Sequence, residues 1–557
     1  MNILKVTVSA IAPMIQRLTL TRELRTVGIV AIVFWMLCCV FVVQRYALFY
    51  PTHVAFDQGI FNQVFWNTLH GRWFESSLSS TESVQVLVDG QPPEVFYRRL
   101  GQHFTPALLL WVPYYALVQS PAGLSVLQVS LVTAGGLVLY ALARHYVAPA
   151  LALFITLGYY CSNAVIGPTL ANFHDLCQLP LYGFGLLLAF EKRMWSVFWL
   201  LAGLTLLVRE DTGILLFGIG AYLVLSRRAV IPGVVLSAVS VGYILLATNV
   251  LMPLFSDDIS RRFMVEQFGH FVENQQASPP EVLVAILRQP TQLLQELVSP
   301  GDRTLNYVLG QILPLAFVSL LSPSTGILVA FPLLKTLIRQ DPTALSLQLR
   351  YAITLVPGLF YGAILWWAAH PQWFQPKLRR FWALCLTLAL IFTVLSNPNR
   401  ALSIAIPDSI DPWVYVTPAR QWQHAQAMRT IMAHIPDHAS VSATGYALSH
   451  LSNRRAIVRY PEVRIRNDAQ QATTVDDVLV DFWYPVQLQV AFRNERRDLA
   501  DMERQFTALL ESGYGIIAFE DGIGLLRNHT QNLTQALSKW QAWHDRLQPI
   551  IQSTPSP

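Results

Sequence analysis

Residues 53 to 61 read His53-Val54-Ala55-Phe56-Asp57-Gln58-Gly59-Ile60-Phe61, and they come shortly after an apolar run from Val27 to about Phe49. That run is long enough to cross a bilayer and lacks a small-residue cleavage pattern, so it reads as a retained span rather than a removed signal. The stretch beginning at His53 is then the first loop beyond a membrane, and apolar sequence returns only after Gly101-Gln102-His103-Phe104. Within the loop Phe56, Ile60, Phe61, Val64, Phe65 and Leu69 recur at helical spacing, with Gln58, Asn62, Gln63 and Asn67 towards the other side. The pattern predicts an amphipathic helix lying along the bilayer surface. Asp57 is its candidate reactive group, because a carboxylate just outside a span is well placed for chemistry on an amphiphile.

Composition agrees with a membrane setting. Of 557 residues 53% are hydrophobic and 13% charged, too apolar for an ordinary soluble chain. The net charge of +5 contains no long basic run, which argues against nucleic acid as a partner and for charge placed by topology. The five cysteines, Cys38, Cys39, Cys161, Cys177 and Cys385, fall in or beside apolar runs and suggest neither a disulfide framework nor a CxxC metal site.

Working outward, eleven spans are expected, at 27–49, 121–143, 147–163, 175–190, 194–208, 212–226, 229–250, 305–321, 325–338, 351–370 and 381–397. Pro106 and Pro113 make 104–118 a surface or re-entrant helix instead. A cytoplasmic N-terminus (1–26) would put Arg144, Lys192 with Arg193, Arg227 with Arg228, and Lys377 with Arg379 and Arg380 on inner turns, as the positive-inside rule expects. The unusual polar clusters then all fall outside, including the large first loop 50–120. The membrane domain covers 27–397 and a proline-punctuated linker 398–418. Residues 419–557 form a small extracytoplasmic α/β domain, with strand-like runs near 440–443, 456–458, 478–480 and 515–519 and helices near 419–435 and 499–512. The fold class is therefore an α-helical polytopic membrane protein with a C-terminal α/β domain. The expected location is the plasma (inner) membrane, crossed many times.

Several clusters could carry chemistry. Arg209-Glu210-Asp211 puts three ionisable groups at the edge of hydrocarbon, which is expensive unless they pair or function. Arg209 is suited to contact an anion, with Glu210 or Asp211 orienting it or binding a divalent metal; a self-satisfied Arg-Glu pair in a solvated turn is the plainer account. His174-Asp175 combines a candidate ligand with an Asp that could equally cap a helix. His103 suits a phosphate-binding cation, an acid or base, or a headgroup-boundary residue. Arg350-Tyr351 opens a span, and Arg350 snorkels to headgroups unless it faces Asp57. Gln58 joins these as a binding candidate beside Asp57. Asp257, Asp258, Arg261 and Arg262 read as a solvated face.

In order along the chain, Phe56-Asp57-Gln58-Gly59-Ile60-Phe61-Asn62-Gln63 with Trp66-Asn67-Thr68, Gly101-Gln102-His103-Phe104-Thr105-Pro106, Asn172-Phe173-His174-Asp175 and Arg209-Glu210-Asp211-Thr212-Gly213 resemble the predicted membrane proteins of domain-of-unknown-function family 2079. The likeness continues through Ser440-Val441-Ser442-Ala443 and Ala518-Phe519-Glu520-Asp521-Gly522. The common family form has Lys at the position of Arg209 and often Pro-Glu where this chain has Asp175-Leu176. The family in turn looks like the C-type glycosyltransferase superfamily, whose members take a sugar from a polyprenyl-phosphate carrier outside the cytoplasm. That resemblance implies Asp57 as general base, inversion at the anomeric carbon, a lipid or glycan acceptor, and Arg209, His103 and Arg350 as candidates to meet the departing phosphate. A flippase for lipid-linked glycans and a non-catalytic envelope assembly protein are the other readings. The first would need polar groups deep within spans, for which Gln44 and Arg45 are partial candidates.

Overall fold

A computed structural model describes residues 21–52, 54–259, 264–272, 279–341 and 343–552. His53, Arg261 and Arg262 lie outside the described residues. The helical region runs through α1 (Arg22–Ala47), α2 (Ala55–Leu69), α3 (Pro121–Tyr146), α4 (Pro149–Tyr160), α5 (Leu179–Glu191), α6 (Trp195–Val208), α7 (Gly213–Leu225), α8 (Val230–Leu246), α9 (Pro323–Leu337), α10 (Val356–Ala369) and α11 (Pro376–Leu395). Proline stands in the first turn of α3, α4, α5, α9, α10 and α11, where its missing N–H costs nothing and its fixed φ starts the helix.

Among the described residues five helices are long and apolar enough to cross a membrane: Arg22–Ala47, Pro121–Tyr146, Val230–Leu254, Arg350–Ala369 and Pro376–Leu395. Pro149–Tyr160 and Asn163–Thr169, bent by 47°, make a sixth if the pair is counted as one span. α6, α7 and α9, where spans were also expected, are shorter apolar helices. The expected span 305–321 is not one helix: helix Gly301–Ile312 gives way to the turn Leu313–Leu315, and Ala316 and Phe317 both adopt left-handed φ. Pro314 lacks the N–H that would continue the helix, which breaks there. α3 and α10 are the buried central helices, whereas α1, α8 and α11 turn Ile29, Leu37, Ile231, Val234 and Leu390 outward, apolar faces suited to lipid.

The C-terminal domain comprises α12 (Pro418–Met432), β1 (Val441–Ala443), α13 (Gly445–Leu451), β2 (Ile457–Arg459), β3 (Asp477–Asp481), α14 (Arg493–Glu511), β4 (Tyr514–Glu520), β5 (Ile523–Asn528) and α15 (Thr534–Gln552). Its sheet has the order β2-β1-β3-β5-β4; β2, β1 and β3 are parallel, and β5 is antiparallel to both β3 and β4. All five residues of β3 are buried, as a parallel strand covered on both faces requires. Residues 398–417 contain a short turn and a two-residue hairpin, and Asp408 accepts hydrogen bonds from Tyr50, Asn397 and Ser403.

The surface helix expected at 55–69 is instead enclosed by protein. Its apolar side joins the main core, and its polar side meets the C-terminal domain, where α13 packs against it. Asn62 donates to Ser452 Oγ at 2.8 Å and Asn453 Oδ1 at 2.6 Å, and Gln63 donates to the Arg454 carbonyl at 3.1 Å. The amphipathic pattern was real, but its polar half faces buried hydrogen-bonding groups rather than water. His450 of α13 stacks on Tyr46 and Phe49 at 3.8 Å each, which fixes the domain to the end of α1.

Candidate functional site

Asp57 sits in the first turn of α2, and its carboxylate is ion-paired with Arg350, at the head of the 350–369 helical segment. Arg350 is therefore not a snorkelling residue. Burial raises the Asp57 pKa, but the charge and hydrogen bond of Arg350, then the charge of Arg99, more than offset it and hold the carboxyl below the usual carboxylate range. The side chain remains 30% exposed, ionised and reachable.

The turn between α6 and α7 supplies the next layer. Thr212 closes it by donating to the carbonyls of Thr205 at 2.5 Å and Arg209 at 2.8 Å. Arg209 pairs with Asp211 through two bonds, 2.7 and 2.6 Å, rather than with Glu210, so the Arg-Glu pair considered from sequence does not form. Asp211 also meets Lys335 of α9. Glu210 reaches the other way, to His103 Nδ1 at 2.9 Å and the Phe104 amide at 2.9 Å, and so ties the first loop to this turn. Burial first, then the Asp211 charge, raises Glu210 to about 7. Gly101 makes the loop's course possible: a Cβ there would lie 2.2 Å from Ser256 Oγ.

Not every candidate plays the part expected of it. Burial, then Arg99 and Arg209, lowers His103 well below 6.5, so it is a neutral hydrogen-bonding partner rather than a phosphate-binding cation. Burial, then Arg350, does the same to His174, which is 1% exposed. Gln58 does not join the cluster, since its amide donates to the Pro121 carbonyl and Ser125 Oγ, both at 2.9 Å. Asp175 does not cap its helix in the usual way: Oδ1 accepts from the neighbouring Leu176 amide, while buried Oδ2 has no hydrogen-bond partner among the described residues and lies within the field of Arg99, Arg209 and Arg350. Asp258 is no solvated residue either; it accepts from the Val84 amide at 2.6 Å and from Tyr97. Arg45, a polar exception within a span, spends its guanidinium on the carbonyls of Leu170, Ala171 and Asn399.

Three residues that pattern reading missed complete the site. Arg99, 5% exposed, sits over Phe61 at 4.7 Å; in sequence nothing separates it from Arg98. Lys335 and Arg339 had a signal, a lone Lys inside an apolar run with an Arg one turn on. Arg209, Lys335, Arg339, Tyr351 and Asp211 line one cavity with Leu179, Ile214, Leu215 and Pro332. The guanidinium carbons of Arg339, Arg350 and Arg209 lie 4.5, 5.4 and 5.8 Å from the centre of the Tyr351 ring. Arg209 and Lys335 share Asp211 and Arg339 pairs with Asp341 at 2.8 Å, so three cations meet two carboxylates around a void of about 20 Å³, and the one positive charge in excess beside apolar walls suits a single anionic group.

The carboxylates do not present a metal set. Asp211 is held by Arg209 and Lys335, Glu210 by His103 and a backbone amide, and among the described residues no group of three His, Cys, Asp or Glu side chains could hold an ion. A second ionic network of Glu191, Arg228, Tyr146 and Tyr361 lies at the far end of α5, whose first residue, Leu179, lines the cationic cavity. At about 1.5 Å per residue the two networks stand roughly 18 Å apart.

A family model described as "Predicted membrane protein (DUF2079)" matches residues 46–525. No curated protein matches. Among solved structures, ArnT from Cupriavidus metallidurans bound to undecaprenyl phosphate matches at 11% identity with a TM-score of 0.50, covering 90% of this chain and 97% of that one. The likeness is one of fold, and it agrees with the C-type glycosyltransferase resemblance read from the sequence.

Proposed function

The chain belongs to the DUF2079 family of predicted membrane proteins, and from that membership we propose that it is a membrane glycosyltransferase moving a sugar from a polyprenyl-phosphate donor to a lipid or glycan acceptor. The observation that carries the reading is an ionised, reachable Asp57 adjoining a cluster whose cation-rich cavity has apolar walls. A transferase of this kind needs both parts, a base for the acceptor and positive charge for the lipid phosphate that departs. The neighbour's bound undecaprenyl phosphate supports a ligand of the same class here.

In the reaction the acceptor hydroxyl attacks the anomeric carbon as Asp57 takes its proton. The bond from that carbon to the phosphate oxygen breaks, the electron pair leaves with the polyprenyl phosphate, and the single displacement inverts the centre. Arg350 keeps Asp57 ionised before substrate arrives. Arg209, Lys335 and Arg339 hold the phosphate, and Glu210 with His103 positions their turn. The basic turns at Lys192, Arg193 and Arg227 support a cytoplasmic position for the opposite end of the bundle, and hence an extracytoplasmic one for this end.

Deletion of the gene tests the reading. The deletion strain is expected to accumulate a polyprenyl-phosphate sugar and lack one glycan product. The wild-type gene restores both, and Asp57→Asn, present in membranes at the wild-type level, leaves transfer down by about 10²–10⁴-fold. Full restoration by Asp57→Asn would overturn the assignment.

A further inference from the structure

The apolar surface of the protein does not stop where the spans do. Counting from Arg25, the last charge before the apolar stretch of α1, about twenty residues at about 1.5 Å each cross about 30 Å of hydrocarbon and bring the chain out near Arg45. The exposed apolar side chains of α1 agree, running from Ile29 to Val43. α11 ends at Leu395, which is also exposed. The two exits are tied together: Asp408 accepts hydrogen bonds from Tyr50, three residues past α1, and, at 3.0 Å, from Asn397, two residues past α11.

Large apolar side chains stand exposed beside this knot. The Asp408 amide donates to the Val414 carbonyl at 2.9 Å, which seats the two-residue hairpin on it. Ile410 lies directly opposite Trp413 in that hairpin, so both side chains project from one face, and they are 72% and 65% exposed. On α12, Trp422 is 52% exposed and its ring centre lies 5.4 Å from the guanidinium carbon of Arg429. Arg429 in turn donates to the carbonyl of Ala47, the final residue of α1. Two separate elements thus hold tryptophan rings at the level where α1 ends.

The chemistry of these side chains suits the boundary between water and lipid. A tryptophan ring is apolar with one N–H donor, which favours it at headgroup level, and the exposed cation of Arg429 beside it suits a lipid phosphate. Asp411, exposed at the turn of the hairpin, limits the depth, because a carboxylate is costly in hydrocarbon.

We propose that the hairpin and α12 form a membrane-contact surface, with Ile410, Trp413 and Trp422 seated among the lipid headgroups of the leaflet on the Asp57 side. The partner is lipid rather than a second protein because the patch continues the lipid-facing surfaces of α1 and α11 across their exits. The contact rests on the spans and is independent of the transferase reading. Its consequence is positional: Asp57 follows Tyr50 by seven residues, so a domain seated at headgroup level holds the first turn of α2 close beyond the lipid phosphates.

Depth quenching on the full chain, in vesicles of phosphatidylethanolamine and phosphatidylglycerol, tests this. Cys39 and Cys161, the two cysteines that are not fully buried, are replaced by Ala, and a fluorophore is attached at Trp413→Cys, Trp422→Cys or, as a reference, Asp498→Cys on an exposed face. Nitroxides on the lipid headgroup or high on the acyl chain are expected to quench the first two at least about threefold more than the third, and aqueous iodide is expected to do the opposite. The two positions lie on different elements, so each tests the contact by itself. Lipid quenching at either position no stronger than at Asp498 would overturn the proposal, whether the side chain is then found in water or, by crosslinking through the introduced cysteine, against a second copy. Neither readout involves sugar transfer, so failure of the contact and failure of Asp57-dependent transfer are told apart.

Discussion

Asp57, Glu210 and Arg350 show how side chains remote in sequence acquire a shared chemistry. Asp57 and Arg350 are separated by 293 positions, His103 and Glu210 by 107, Asp211 and Lys335 by 124. The type and membrane-edge position of each candidate were legible, because a charge beside hydrocarbon is costly enough to stand out. Their partners were not, since no local pattern says which guanidinium a carboxylate will meet. Glu210 gives a prediction at this scale. Its pKa is raised to about 7, so protonation as pH falls through that value removes a negative charge beside the cationic cavity. Polyprenyl phosphate should bind about three- to tenfold more tightly at pH 6 than at pH 8. Glu210→Gln should hold the low-pH affinity throughout. A binding isotherm series that shows the same pH dependence in the variant would reject Glu210 as the titrating group.

At the scale of elements, α2 is the informative case. Its helical period was evident from residues 56–69, yet the same period fits a surface helix and one enclosed by two domains; the choice depends on whether a polar partner arrives. Here the turn after α13 supplies it through Ser452, Asn453 and Arg454. The strands near 441–443, 457–459, 477–481 and 514–520 were expected, whereas β5 and α15 were not. β5 reads Ile523-Gly524-Leu525-Leu526-Arg527-Asn528, without alternation, because both its faces are covered and residues 523–526 are all buried. α12 and the end of β3 also bury His424, bonded to Asp481 and Asp521 at 2.8 Å each and stacked on Trp483 at 4.5 Å. Burial lowers its pKa, but the two carboxylates prevail and raise it to about 9. A folded pKa above the ordinary 6.5 makes this contribution to stability complete below about pH 6.5 and lost as pH rises through 9, on the order of 3 kcal/mol in all. Hydrogen exchange of the α12 and β3 amides should accelerate over that interval in the wild type and show no such step in His424→Gln. An unchanged step in the variant would reject His424 as the source.

The molecule as a whole gathers its ionisable groups at two ends of a helical bundle, as the alternation of outer and inner turns requires. The sidedness proposed above can be read directly. Asp498→Cys should react with a membrane-impermeant thiol reagent in intact cells, and Lys192→Cys only after permeabilisation; labelling of both from one side would refute the assigned topology. The chain's long apolar runs, their order and the character of its tail could be derived from sequence, because transferring some twenty residues into hydrocarbon is a summed property of local composition. Where a run was interrupted, as at Pro314, composition alone misled. Tertiary structure alone decided which charges pair, and that α2 is enclosed between the helical core and the C-terminal domain rather than lying on a surface. These depend on approach distances of a few ångströms between elements far apart in the chain, and electrostatic energy is governed by such distances and by burial rather than by neighbourhood in sequence.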